Sequence, residues 1–135
     1  MKRKHLFVYG SLMFESVWSR LAKSPVKKRY AILEDYQALV VRGETYPGLV
    51  ARSGTETQGI LILNVSHRDL QRLDKFEGKY YQRISMMVNH NHKTYLTEVY
   101  VFKQRYKFLL GTNPWDVEYF KRRGLKLFIR RYRGF

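Results

Sequence analysis

Hydrophobic and polar positions along the chain change period several times, and each change predicts an element. The apolar run His5-Leu6-Phe7-Val8-Tyr9 predicts a first strand that stops at Gly10-Ser11. Phe14, Val17, Trp18 and Leu21 then recur at helical spacing, which predicts a short helix over 14–22, closed by Ser24-Pro25. From Val26 to Val41 the pattern is that of extended chain, broken by Glu34-Asp35 into two strands meeting at a tight bend. Pro47-Gly48 marks a turn or strand edge, and the continuous run Ile60-Leu61-Ile62-Leu63 predicts a strand buried on both faces. Over 66–78 the period becomes helical: Ser66 can cap, Asp69 follows three residues on, Leu70 and Leu73 share a face with Phe76 or Glu77, and Gly78 supplies the stop. "YQRISMMVN" and "TYLTEVYVF" read as strands joined through the polar turn 89–93, and "NPWDVEYFKRRG" reads as a helix with Asn113 as cap and Pro114 at its first position. The expected architecture is α+β: a small mixed, barrel-like sheet with a few short flanking helices and a central cavity.

Composition changes this picture in two places. The chain of 135 residues has room for one domain, and its lack of cysteine excludes disulfide scaffolds, thiol catalysis and Cys-ligated metals. That usage suits a reducing compartment, so the expected setting is cytoplasmic. The basic start reads as strand one and not as a leader, and no stretch approaches the roughly 20 apolar residues of a membrane span, so no membrane partner is expected. The second change comes from the net charge of +15, gathered at 2–4, 27–29 and above all 120–135. It fits either a surface that attracts polyanions or a domain acting on a small anion. Residues 1–120 therefore read as the folded domain and 121–135 as a basic C-terminal tail. If helical, the tail would put Leu125, Phe128 and Ile129 on one side and arginines on the other, capping the barrel or touching an acidic partner.

Candidate chemistry lies at two points. A strand that ends at Tyr9-Gly10-Ser11-Leu12 and passes straight into a helix offers unpaired backbone N–H groups to a carboxylate or phosphate, although a plain strand-to-helix turn fits the tetrapeptide as well. Glu77 stands at the half-buried C-terminal end of an amphipathic helix, where the helix dipole and desolvation both raise a carboxyl pKa towards values useful in proton transfer. The alternative is a solvated Glu or one paired with Arg83. Tyr46, Tyr81 and Tyr100 could line a pocket and donate hydrogen bonds, or simply pack, in a chain with eleven tyrosines. His90 and His92 could share a strand face as a metal pair but fall in an Asn-rich turn, which favours an exposed hairpin; His5 and His67 stand alone, and no metal site is expected.

These stretches resemble a family. "VYGSL" at 8–12, "YPGLV" at 46–50, "GILILNV" at 59–65, "LDKFEGKYYQR" at 73–83 and "EVYVF" at 98–102 follow the order and spacing of the gamma-glutamylcyclotransferase-like (AIG2-like) family. The resemblance implies a compact barrel-like domain with a cavity, no metal and no organic cofactor. It also implies an enzyme that acts on a γ-glutamyl-type amide and releases 5-oxoproline and an amine. Carried onto this chain, Tyr9, Gly10, Ser11 and Leu12 would hold the substrate's α-carboxylate and Glu77 would be the general acid/base. Many relatives follow the first turn with a basic or small residue, whereas this chain has Met13-Phe14. Two other classes of function remain open: a nucleic-acid or polyanion binder using the basic ends interleaved with Phe128, Tyr132 and Phe135, and a silent relative that binds a small metabolite.

Overall fold

The computed structural model describes residues 2–131. Six strands form one sheet: β1 (Lys4–Val8), β2 (Lys27–Val41), β3 (Pro47–Val65), β4 (Tyr81–His90), β5 (Lys93–Phe102) and β6 (Leu110–Pro114). Their order is β3-β1-β5-β4-β2-β6, and a further β2–β3 pairing closes the first five into a barrel. Only β1–β5 runs parallel, in the register Leu6↔Glu98 and Phe7↔Val99, so the barrel is mixed.

Alternation along the strands sorts side chains into two cores. Phe7 and Tyr9 of the first segment, with Ala31, Leu33, Leu49, Leu61, Val88 and Val99, fill the barrel. Leu6, Val8, Ile62 and Val65 face outward onto α1 (Glu15–Leu21) and α2 (His67–Glu77), meeting Val17, Trp18, Leu70 and Leu73. Leu61 and Ile62, both fully buried, thus serve opposite faces of one strand, as their continuous apolar run predicts. Gly59 belongs to this packing: a Cβ there would lie 2.3 Å from the Val8 carbonyl oxygen.

The helix at 66–78 forms as its signals require. The Ser66 side chain accepts from the Asp69 N–H, and the Gly78 N–H donates to the Asp74 carbonyl. The β4–β5 hairpin turns through Asn91 (φ 49°) and His92 (φ 63°), two left-handed residues of the kind a tight two-residue turn demands.

Three boundaries differ from expectation. Glu34-Asp35 does not separate two strands; β2 runs through it as a bulge, with Asp35 at φ 65° and its carboxylate accepting from the Gly54 N–H at 3.0 Å. Pro47-Gly48 begins the long β3 and does not stand apart from it, because 47–51 pair with 36–40. Residues 113 and 114 are strand, not helix: Pro114 pairs with Leu39, and the helix cap is Asp116, whose side chain accepts from Glu118 N–H at 2.9 Å. Here sheet pairing outweighs the local Asn-Pro signal. The chain then runs through α3 (Val117–Tyr119) and a π-helical stretch (Phe120–Gly124) into α4 (Leu125–Arg131), whose Phe128 is buried with Leu125 and Ile129 packed beside it.

Candidate active site

The end of β1 and the end of α2 meet across a pocket of about 230 Å³. All eight residues picked from the sequence line it: Tyr9, Gly10, Ser11, Leu12, Tyr46, Glu77, Tyr81 and Tyr100. On one side, Gly10 enters a 3-10 turn, Ser11–Met13, whose only internal bonds run from the Met13 N–H to the Gly10 carbonyl and from the Phe14 N–H to the Ser11 carbonyl. Among the described residues the N–H groups of Gly10, Ser11 and Leu12 have no acceptor. The turn lies close against the β3 start; a Cβ on Gly10 would sit 3.1 Å from the Pro47 ring.

On the other side is Glu77. Its side chain is half-buried, and its carboxyl has no hydrogen-bond or ion-pair partner among the described residues. Loss of water on burial, followed by the negative charge of Asp74 one helical turn earlier, pushes it up to about 8. The Glu77 charge is felt in turn by four phenols. Tyr9, Tyr81 and Tyr100 are held well above the usual tyrosine range and Tyr46 is pushed up to about 12, in each case mainly by burial. The phenols therefore stay protonated at any working pH.

For Tyr81 and Tyr100, read from the sequence as pocket donors or packing residues, the protons point away from the pocket, as does that of Tyr9. Tyr81 donates to the Pro47 carbonyl at 2.6 Å, Tyr9 to the Tyr100 carbonyl at 2.6 Å, and Tyr100 to the Asp74 carboxylate at 2.7 Å. A phenol has one proton, so the oxygens of these three have only lone pairs left to offer. Arg83 is likewise not a partner of Glu77. Its guanidinium bridges Asp74, at 2.8 and 3.1 Å, and the buried Glu98 at 2.7 Å; Ser85 also donates to Glu98. The α2 end is thus pinned to β4 and β5 through Asp74, which leaves Glu77 without a neutralising cation.

The other motifs fall outside the pocket. Phe14 packs on Phe120 with ring centroids 5.3 Å apart, and neither Met13 nor Phe14 lines the wall. His90 meets the Tyr30 carbonyl at 2.6 Å and His92 lies in the hairpin turn. Lys2, Arg3, Lys27, Arg29, Arg130 and Arg131 are exposed; Tyr132 and Phe135 lie outside the described residues. Sequence reasoning did not pick Phe76, Lys79, Tyr80 and Phe128, which line the pocket together with Phe7, Val8, Pro47 and Gly78. The "FEGKYY" stretch carried a signal for the first three. Phe128 was read only as part of the apolar side of a helical tail that could cap the barrel, and it reaches the pocket from α4. No helix among the described residues is long and apolar enough to cross a membrane.

Comparison with known proteins agrees with this geometry. The chain is 28% identical over 134 residues to AIG2-like protein D of Arabidopsis thaliana, covering 96% of this chain and 87% of the relative. Its fold is that of a solution structure of an Arabidopsis thaliana protein (TM-score 0.73, 24% identity, covering 98% of this chain and 81% of that one). It is also that of a solved structure titled gamma-glutamyl cyclotransferase (TM-score 0.66, 19% identity, covering 76% and 68%). The model of the family described as "Gamma-glutamyl cyclotransferase, AIG2-like" matches residues 6–117, a span that starts within β1 and contains α2 and the pocket-lining residues other than Phe128, and the chain belongs to that family.

Proposed function

We propose that this protein is a cofactor-independent cyclotransferase for γ-glutamyl amides. The observation that carries the reading is an unpaired carboxyl, raised to about 8, facing three unpaired backbone amides across a small pocket. The amides of Gly10, Ser11 and Leu12 take the substrate's α-carboxylate, so its α-amino group is turned towards Glu77 and the lone pairs of Tyr100. The substrate's ammonium first gives up one proton to solvent; Glu77, in its ionised form, accepts the second as the free α-amine attacks the γ-carbonyl carbon and closes a five-membered ring. The carbonyl carbon then releases the departing nitrogen, to which Glu77 returns the proton, and the products are 5-oxoproline and a free amine. Water is not consumed and no side chain becomes acylated. Nucleophile and electrophile belong to one molecule, so the protein's task is to fold the substrate and move one proton.

A carboxyl of ordinary acidity would be a weak base towards the α-amine, whereas one raised to about 8 accepts the proton more strongly and can still return it to the departing amine. The test is release of 5-oxoproline from a panel of γ-glutamyl amides by the natural chain and by Glu77→Gln. Turnover in the first and its loss in the second are expected; equal turnover in both would remove Glu77 from the chemistry.

A further inference from the structure

One wall of the pocket comes from beyond residues 6–117, the span that the family shares. Phe128 lines the pocket from α4, and its ring is 8% exposed. It packs edge-on against Tyr46, Phe76 and Phe120, with ring centroids 6.1, 6.0 and 6.0 Å away. Tyr46 leads into β3 and Phe76 is the residue before Glu77 on α2, so a single ring bridges two elements that shape the pocket.

The chain on either side of Phe120 is fastened to the turn at 44–46. Trp115 donates through Nε1 to the Thr45 carbonyl at 2.9 Å. Gly124 approaches so closely that a Cβ there would lie 3.1 Å from the Thr45 Cβ and 2.8 Å from the Phe120 ring. Phe120, 1% exposed, packs on Phe14 and Trp115 with ring centroids 5.3 Å apart in each case. Around this apolar side stand Lys121, Arg122, Arg123, Lys126, Arg130 and Arg131, all exposed. Arg131 reaches Glu44 at 4.0 Å, but an exposed pair of that kind contributes little and the like charges repel, so the apolar side holds α4 in place.

The charged and titratable groups that face Glu77 are Asp74 on α2 itself, Lys79 just past it, Tyr9 on β1, Tyr46 before β3, Tyr81 on β4 and Tyr100 on β5. What α4 adds to this wall is Phe128, a ring without charge. Loss of water is the larger cause of the raised proton affinity of Glu77, and an apolar ring packed on the neighbouring Phe76 acts through that cause.

We propose that Phe128 is a positioning residue: from α4 it seals the pocket over Glu77 and keeps water from the carboxyl. The inference rests on the cyclotransferase reading for its effect on turnover, and it adds a working part of the site that lies outside residues 6–117. The seal itself is observed without substrate.

The Glu77 carboxyl carbon, assigned by its absence in Glu77→Gln, is followed by NMR as pH is raised. The natural chain should titrate with a midpoint of about 8. In Phe128→Ala no charge changes but water regains the carboxyl, so the midpoint should fall by about one pH unit, and the rising limb of kcat/KM for 5-oxoproline release should fall with it. Phe128→Leu, which refills part of the space, should move the midpoint in the same direction by less, and it carries the test if the alanine variant does not fold. Ile129→Ala loosens α4 at a residue that does not line the pocket and should leave the midpoint in place. A midpoint that neither Phe128 variant moves, or that Ile129→Ala moves as far, overturns the inference and leaves the cyclotransferase reading standing. A midpoint that moves with Phe128 in a chain releasing no 5-oxoproline from any γ-glutamyl amide supports the seal and overturns that reading.

Discussion

The two ends of α2 treat a carboxylate in opposite ways. At the first turn, Asp69 is 1% exposed, more enclosed than Glu77 at the last. Burial alone would raise its pKa, yet it accepts from the Lys23 and Ser24 N–H groups at 3.0 Å each and from Arg72 at 2.7 Å, and these hold it below the usual carboxylate range. Glu77 has burial and a like-charged neighbour with no donor to offset them, and it rises to about 8. Within eleven residues of one helix, burial is shared and donors decide. The satisfied carboxylate fastens the start of α2 to the chain that follows α1; the unsatisfied one is free to exchange a proton.

The sharpest way to break this contrast is to remove the proton carrier. Glu77→Gln should lower 5-oxoproline release by about 10² to 10⁴-fold, the usual range for a lost general acid/base, with the circular dichroism spectrum unchanged. The matching change at the other end acts on stability instead. Asp69→Ala strands two partly buried N–H groups and Arg72, and should cost about 2 kcal/mol in urea unfolding.

The pH dependence separates the two ends by sign. The folded chain keeps the Glu77 proton up to about pH 8, whereas the unfolded chain gives it up near 4.5. Stability from this group is present at low pH and is lost as pH rises across that window, so the melting temperature of Glu77→Gln should gain on that of the natural chain between those values. Asp69 runs the other way: its folded pKa is depressed, so its contribution holds above about pH 3.8 and drains away as pH falls below it. Asp74→Asn sharpens the same point in kinetics. It removes the second cause of the Glu77 shift and leaves the first, so the rising limb of kcat/KM should move to lower pH without reaching the position of an ordinary Glu. The smallest effect is expected from Ser66→Ala, which deletes the α2 cap and should lower stability by about 1 kcal/mol in a thermal melt, with the Glu77 limb in place.

Much of this arrangement could be read from residues close together in sequence. Ser66, Asp69, Leu70, Leu73 and Gly78 are neighbours within one or two helical turns, so the cap, the buried stripe and the stop of α2 are local facts. The polar 89–93 turn and the Ile60–Leu63 run are local in the same sense, and each forms as expected. Errors appeared where a local signal competed with pairing at a distance. Asn113-Pro114 is a good helix start in isolation, but Leu39 lies opposite Pro114 and draws the segment into the sheet. Glu34-Asp35 is a good turn, but β3 supplies a partner on both sides of it and makes it a bulge.

The sequence by itself determined that Glu77 would end an amphipathic helix and that the first strand would break at an open Gly-Ser turn, because capping and periodicity act over a few residues. Only the tertiary structure decided that the two face each other and that Glu77 lacks a donor. Arg83 is nearer in sequence to Glu77 than to Asp74, yet the register that sets it opposite Tyr100 carries it to Asp74 and Glu98. A carboxyl's proton affinity follows the donors that reach it in space, and those come from strands far apart in the chain.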